Sequence, residues 1–307
     1  MKIGALIVTT GLSPISGVAA LMPKIGTISA GQRMISAFRR VNVSVVGLVV
    51  GPADKKEERT FSQNGVLFFH CADKRATFFQ GIQQGLQFMA DKFDRVFLVP
   101  GDMPLFLPNT LERLLRSTAS IAVPENACAN GYPVLLDRQA MKLILAERTA
   151  RDADQAIRKS GLAVDMISVE DPGVLLRSEI APQQQDLIQI HNRQLTRPVA
   201  QFTLTKGGDL YDARLSMLLH LVDETRSVRD ACEMMQISYS TAWNMLNHVE
   251  EELGYPLVTR IRGGSTGSGS VLTQKGRKLM ESYDAFSAHL EQTAQELYQK
   301  YFSSLRS

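Results

Sequence analysis

Residues 227–253 read SVRDACEMMQISYSTAWNMLNHVEEEL, two helical patterns, Val228 to Met235 and Tyr239 to Leu253, joined by the three residues Gln236, Ile237 and Ser238. Ser238 is placed to cap the second helix, because a serine hydroxyl at that position accepts a bond from an otherwise unpaired first-turn amide. Two short helices with so tight a turn have helix-turn-helix spacing, and an ordinary α-hairpin has it too. The chemistry of the second helix bears on the choice. Its first turn offers Ser238, Tyr239, Ser240 and Thr241, with Asn244 a turn further on, and small polar residues there let a backbone approach a DNA groove. Ala242, Trp243 and Leu246 are expected to face the core.

Downstream, residues 257–273 read LVTRIRGGSTGSGSVLT, with strand-like pieces Leu257 to Ile261 and Ser270 to Leu272 flanking a glycine-serine run. Strands that close around the run predict a hairpin tip rather than a flexible tether. Thr273 then stands as the N-cap of an uninterrupted helical pattern that reaches Tyr301. In this order, residues 208–286 resemble the DNA-binding domain of the molybdate-responsive ModE regulators, a LysR-like winged-helix group. The shared features are a recognition helix opening Ser-Tyr and carrying Ala-Trp, a Leu-Val-x-Arg strand, a glycine-rich wing, Leu-Thr and a long helix. The resemblance implies double-stranded DNA as a partner, with Ser238, Tyr239, Ser240, Thr241 and Asn244 entering the major groove. It places Arg260, Arg262, Gly264 and Lys275 at the backbone or minor groove, and makes the helix from Gln274 to Tyr301 the contact of a homodimer reading paired half-sites. No molybdate-binding domain is expected before the sequence ends at Ser307, so molybdate itself need not be the signal.

Charge supports a nucleic-acid partner locally rather than globally. The net charge of +3 divides at residue 200 into +5 and −2, yet Gly254 to Met280 holds five basic residues, Arg260, Arg262, Lys275, Arg277 and Lys278, and no acidic one. A polyanion responds to charges within a Debye length of about 8 Å, so the cluster outweighs the domain sum. At 307 residues the chain suits two domains. The polar passage from Gln183 to Lys206, with Pro198 and a following Gly-Gly-Asp, sets the boundary near Arg197 and gives domains 1–197 and 198–307. No apolar run approaches the roughly 20 residues that span a bilayer, and the start MKIGALIVTTGLSP lacks a cleavage-like site. We therefore expect a cytoplasmic protein without a membrane partner. Cys71, Cys128 and Cys232 form no CxxC pair and read as buried thiols. His70, His191, His220, His248 and His289 show no metal-ligand spacing and read as satisfied or solvent-facing.

The front half alternates strand-like runs (Ile3 to Thr9, Val43 to Val50, Val66 to His70, Val96 to Val99, Ser120 to Val123) with helical patterns (Ala30 to Val41, Ala76 to Asp91, Asn109 to Thr118). That alternation predicts an α/β, Rossmann-like domain with a mostly parallel sheet, followed by the mainly α winged-helix domain. Ligands of such sheets sit beyond the strands' C-terminal ends, which singles out the loops after Thr9 and after Val99.

The second of these loops carries Gly101-Asp-Met-Pro-Leu, where Asp102 at a strand end offers a hard oxygen to Mg²⁺. This segment, with Asn130-Gly-Tyr-Pro before a strand, makes residues 1 to about 190 similar to the MobA and MocA nucleotidyltransferases, which attach GMP or CMP to molybdopterin. The resemblance implies a nucleotide site at Gly11, Ser13, Gly17 and Asp102, Mg²⁺ as cofactor, and a nucleotide or molybdopterin as ligand. The family's phosphate loop carries an Arg and a Lys; this chain has Ile15 and Ala20 there, and Lys24, four residues on, is the remaining candidate. Its late acidic motif reads Arg177-Ser-Glu179, leaving Glu179 as the candidate second metal ligand. A donor that stabilises phosphoryl charge contributes about 3 kcal/mol to catalysis, so losing two implies a degenerate site that has become a ligand sensor for a small-molecule effector. The alternative is a working Mg²⁺-dependent molybdopterin cytidylyl- or guanylyltransferase with a regulatory DNA-binding tail.

Overall fold

Ile3–Val8 forms β1, buried from Gly4 onward, with parallel partners on both sides. Such a strand is apolar throughout because helices cover both faces of its sheet. The computed structural model describes residues 1–12, 17–51, 58, 60–62, 65–150, 152–180, 183–261 and 269–302. Within it the chain divides into two compact units, a front one of residues 1–61 and 65–196 and a back one from Arg197 onward.

In the front unit β1 is followed by a hairpin of β2 (Lys24–Ile25) and β3 (Ile28–Ser29), then α1 (Ala30–Arg40), β4 (Val45–Val50), β5 (Val66–His70), α2 (Phe78–Met89), β6 (Arg95–Pro100) and α3 (Pro108–Arg116). Next come β7 (Ile121–Asn126), β8 (Ala129–Asn130), β9 (Val134–Asp137), α4 (Arg138–Ala146), α5 (Ala153–Ser160), β10 (Val164–Ser168) and α6 (Gln185–Leu195). The sheet runs β10-β7-β9-β6-β1-β4-β5, with β8 paired to β7. β9 runs antiparallel to both β6 and β7, while the other neighbours along this path are parallel. This is the expected α/β class. Capping boxes start α1 (Ser29 with Gln32) and α2 (Thr77 with Gln80), each pairing two amides that the helix cannot satisfy itself. Phe38 centres the core, its ring 5.6 Å from Phe97 and 5.1 Å from Phe106.

Two expectations need correction here. The polar passage from Gln183 is not all linker: α6 buries Leu187, Ile188 and His191 in the front unit, an amphipathic face diluted by polar neighbours. The fully buried Arg33 of α1 fixes it, donating to the Ile25 carbonyl, to Asn192 Oδ1 at 2.8 Å and to His191 Nδ1 at 3.2 Å. Cys128 is exposed in the tight turn between β7 and β8; Cys71 and Cys232 are buried.

The back unit opens with a hairpin of β11 (Leu204–Thr205) and β12 (Asp209–Tyr211), followed by α7 (Ala213–Thr225), α8 (Val228–Met235) and α9 (Tyr239–Leu253). A second hairpin, β13 (Val258–Ile261) with β14 (Gly269–Leu272), precedes α10 (Gln274–Tyr301). Leu218, Leu219, Val222, Ala231, Ala242 and Leu246 build the core. α10 is held to α7 by polar contacts: Arg277 donates to both oxygens of Asp223 (2.5 and 2.6 Å), and Asp284 accepts from Ser216 at 2.8 Å and pairs with His220 at 2.5 Å. Among the described residues, no helix is long and apolar enough to cross a membrane.

Candidate functional site

In the front unit the candidate site lies where the turns after β1 and β6 meet, with Gly101 N donating to the Val8 carbonyl at 2.8 Å. Gly11 has φ +65°, and a β-carbon there would lie 2.3 Å from Phe78 N. The residue therefore has to be glycine for the loop to close against the start of α2. Gly17, also in the left-handed region, donates its amide to the Thr9 carbonyl at 2.8 Å. Ser13 lies outside the described residues. Lys24 is exposed on β2, opposite Ser29.

Asp102 is mostly buried just beyond β6. One of its carboxylate oxygens, Oδ2, is paired with Arg177 Nη1, and the other, Oδ1, is buried without a hydrogen-bond partner among the described residues. The segment that delivers Arg177 is tied to the start of α3 and to the turns after β6 and before β9. Asp171 accepts from the amides of Leu107 (2.8 Å) and Gly173 (2.9 Å) and from Thr110 Oγ1 (2.6 Å), supplying the side-chain cap that α3 lacks at Leu107. Tyr132 N donates to the Val174 carbonyl at 2.9 Å. Ser178 donates to the Asp102 carbonyl through its amide (2.6 Å) and its hydroxyl (3.1 Å).

Tyr132 is half-buried, edge-on to Phe78 with ring centroids 6.3 Å apart. Burial first, then the carboxylates of Asp154 and Asp152, pushes its phenol up to about 12 against the opposing charge of Arg177. It is a neutral donor at physiological pH. Glu179 is exposed in the turn after Arg177, and no group of three or more His, Cys, Asp or Glu side chains among the described residues could hold a metal ion. Arg177 and Tyr132 were not singled out as site residues from sequence. The available signal was an arginine standing where the family's late motif is acidic.

In the back unit, Ser238 caps α9 by accepting from Thr241 N at 3.0 Å, and its hydroxyl also meets those of Ser240 (2.9 Å) and Thr241 (2.7 Å). Its side chain thus shapes the helix start, while Tyr239, Ser240 and Asn244 are exposed. Ala242 and Leu246 are fully buried, but Trp243 is not a core residue. It is half-buried, edge-on to Tyr239 (6.1 Å), and the Arg260 guanidinium lies 4.5 Å from its ring. An arginine over an indole face is attracted by the ring quadrupole, so Trp243 sets the position of Arg260 beside α9. Lys275 is exposed, 4.6 Å from the Tyr255 ring. Arg277 belongs less to the basic cluster than the sequence suggests, because Asp223 already neutralises it. Arg262 and Gly264 lie outside the described residues. Phe286, Leu297 and Tyr301 leave large apolar side chains exposed along α10.

Residues 19–164 match the family described as MobA-like NTP transferase domain, and residues 214–277 match the LysR-family bacterial regulatory helix-turn-helix proteins. The molybdenum transport protein ModE of Azotobacter vinelandii is 33% identical over 92 residues, covering 29% of this chain and 34% of that protein. The molybdenum-pterin-binding protein MopB of Rhodobacter capsulatus is 34% identical over 85 residues, 28% of this chain and 32% of that one. The DNA-binding transcriptional dual regulator ModE of Escherichia coli K12 is 35% identical over 81 residues, 26% of this chain and 30% of that one. The chain thus spans about a third of the length of the curated relatives it matches. Among solved structures, the homologue of Mycobacterium tuberculosis rv0371c from Mycobacterium sp. strain JC1 superimposes with a TM-score of 0.51 at 16% identity. That match covers 62% of this chain and 98% of that one, and it shows a shared fold.

Proposed function

We propose that this chain, which joins a MobA-like NTP transferase domain to a LysR-type helix-turn-helix domain, is a DNA-binding regulator of molybdenum-cofactor or molybdoenzyme genes. The front domain senses an anionic effector, a nucleotide or molybdopterin, and the back domain binds double-stranded DNA as a homodimer. One observation carries the DNA reading: the exposed Tyr239, Ser240 and Asn244 open a helix whose neighbour Arg260 is aligned by Trp243. Tyr239, Ser240 and Asn244 are the groups for base edges; Arg260 and Lys275, with Arg262 and Gly264 of the wing, are those for phosphates. The apolar side chains along α10 supply the face through which two copies pair.

The sensor reading is supported by what surrounds Asp102. The loop positions that would neutralise a triphosphate are Ile15 and Ala20, and Asp102 itself is paired with Arg177. A site so arranged holds a ligand better than it accelerates nucleotidyl transfer. For occupancy to matter, the effector has to favour one state of the protein over another. The test is duplex binding by fluorescence anisotropy, with CTP, GTP or molybdopterin present or absent, alongside pyrophosphate release from the same mixtures. A shift in DNA affinity with no pyrophosphate supports the sensor. Pyrophosphate release that disappears in Asp102→Ala contradicts it and makes the front domain an enzyme.

A further inference from the structure

We infer that Arg177 takes the place of a divalent metal at Asp102 and presents its free guanidinium donors to an oxyanion group of the ligand, so that the crevice binds anions without metal. This deepens, and rests on, the reading of the front domain as a sensor. The resemblance assigns Asp102 to Mg²⁺, and the residues present do not fit that ion. Asp102 Oδ2 is engaged by Arg177, only the buried Oδ1 is left, and Glu179 is exposed on the following turn. Mg²⁺ is held through one or two carboxylates together with water and substrate phosphates. A guanidinium already in contact with the carboxylate cancels the charge that would attract the ion and repels the ion itself.

Arg177 is also built into its place. The backbone beside it is tied to Asp102 by both Ser178 donors, and the preceding residues are tied to Tyr132 and, through Asp171, to Leu107. The side chain is nevertheless 54% exposed, and its one hydrogen bond among the described residues is that from Nη1 to Asp102. Arginine carries five N–H donors in a rigid fork that matches phosphate and similar oxyanions. Asp102 therefore acts as an anchor that orients the fork, and Tyr132 and Phe78 add a half-buried aromatic wall. The shared chemistry of the ligand is a polyoxygen anion, whether the phosphates of a nucleotide or a free oxyanion.

The test is titration calorimetry of the full chain with CTP, GTP, molybdopterin and sodium molybdate, each in EDTA and each with Mg²⁺, together with Mn²⁺ binding followed by electron paramagnetic resonance. At least one anion is expected to bind in EDTA, with Mg²⁺ changing its affinity by less than about threefold. Arg177→Gln is expected to weaken it about tenfold or more, the loss typical of a hydrogen bond to a charged group. Which anion binds tells nucleotide phosphate from free oxyanion. Wild type is expected to hold no Mn²⁺, and Arg177→Ala to gain Mn²⁺ binding that Asp102→Asn abolishes. An anion that binds only with Mg²⁺, or Mn²⁺ held by wild type through Asp102, overturns the inference and leaves the sensor reading intact. No binding in either condition overturns the sensor reading, and this inference with it. Unchanged melting of the Arg177 variants separates a lost contact from a lost fold.

Discussion

Lowering the pH from 7.5 to 5 is expected to destabilise the front unit by about 2 kcal/mol through a single side chain, His191. The imidazole is fully buried; Nε2 faces the Phe106 carbonyl at 3.1 Å and Nδ1 faces the Arg33 guanidinium at 3.2 Å. Both contacts are satisfied by one neutral tautomer, in which Nε2–H donates and Nδ1 accepts. A proton on Nδ1 would put two buried cations in contact and remove that acceptor. Burial first, and then the charge of Arg33, lowers its pKa from 6.5 to about 3. The unfolded chain therefore takes up the proton at higher pH than the folded one. The contribution to stability is complete above about pH 6.5 and is lost as the pH falls toward 3, at about 1.4 kcal/mol per unit.

For a unit of this size, 2 kcal/mol is about 4–8 °C in melting temperature. The assay is scanning calorimetry of wild type and His191→Gln between pH 7.5 and 5. Trp243, the single tryptophan, lies in the back unit, so its fluorescence identifies the other transition. The variant starts less stable but should lose the His191-specific slope. Parallel decline of the two proteins would refute the reasoning.

Three other perturbations follow from contacts described above. Asp171→Ala removes the acceptor shared by Leu107, Gly173 and Thr110; a loss of about 3 kcal/mol is expected, measured by denaturant unfolding of the front unit. Arg277→Ala should cost about 1 kcal/mol or less, since the pair with Asp223 is partly exposed. It should leave the salt dependence of DNA binding unchanged because the charge is already neutralised. Lys275→Ala should instead reduce the slope of log K against log salt by about one, and the comparison is made by anisotropy titrations across a salt series.

The elements that sequence reading placed well are those with a strong period and a clear stop signal. The apolar runs of β1, β4, β5 and β6, the caps at Ser238 and Thr273, and the paired pieces of the wing hairpin all carry their structure locally. β10 was missed because it is an edge strand whose residues are all half-buried or exposed, leaving no apolar run. α6 was hidden by its polar residues, since what fixes it is a buried arginine more than 150 residues away in sequence. Asp102 was recognisable from its motif, but its partner could not be, because the pair joins positions separated by 75 residues. The sequence places Trp243 toward the core with Ala242 and Leu246, whereas in the structure it is half-buried and the side chain that covers it comes from the neighbouring hairpin.

The proposal that the back unit is a DNA-binding regulator rests on its reading DNA sequence through α9. It is tested most directly by selecting bound duplexes from a randomised pool with the full chain and, in parallel, with Asn244→Ala and Tyr239→Ala. Wild type is expected to enrich a two-fold-related pair of half-sites spaced by about one helical turn or a multiple of it. The variants should enrich a relaxed or altered half-site while retaining salt-sensitive binding to duplex in general. A wild-type pool with no enriched sequence, or an identical consensus from all three proteins, would contradict it.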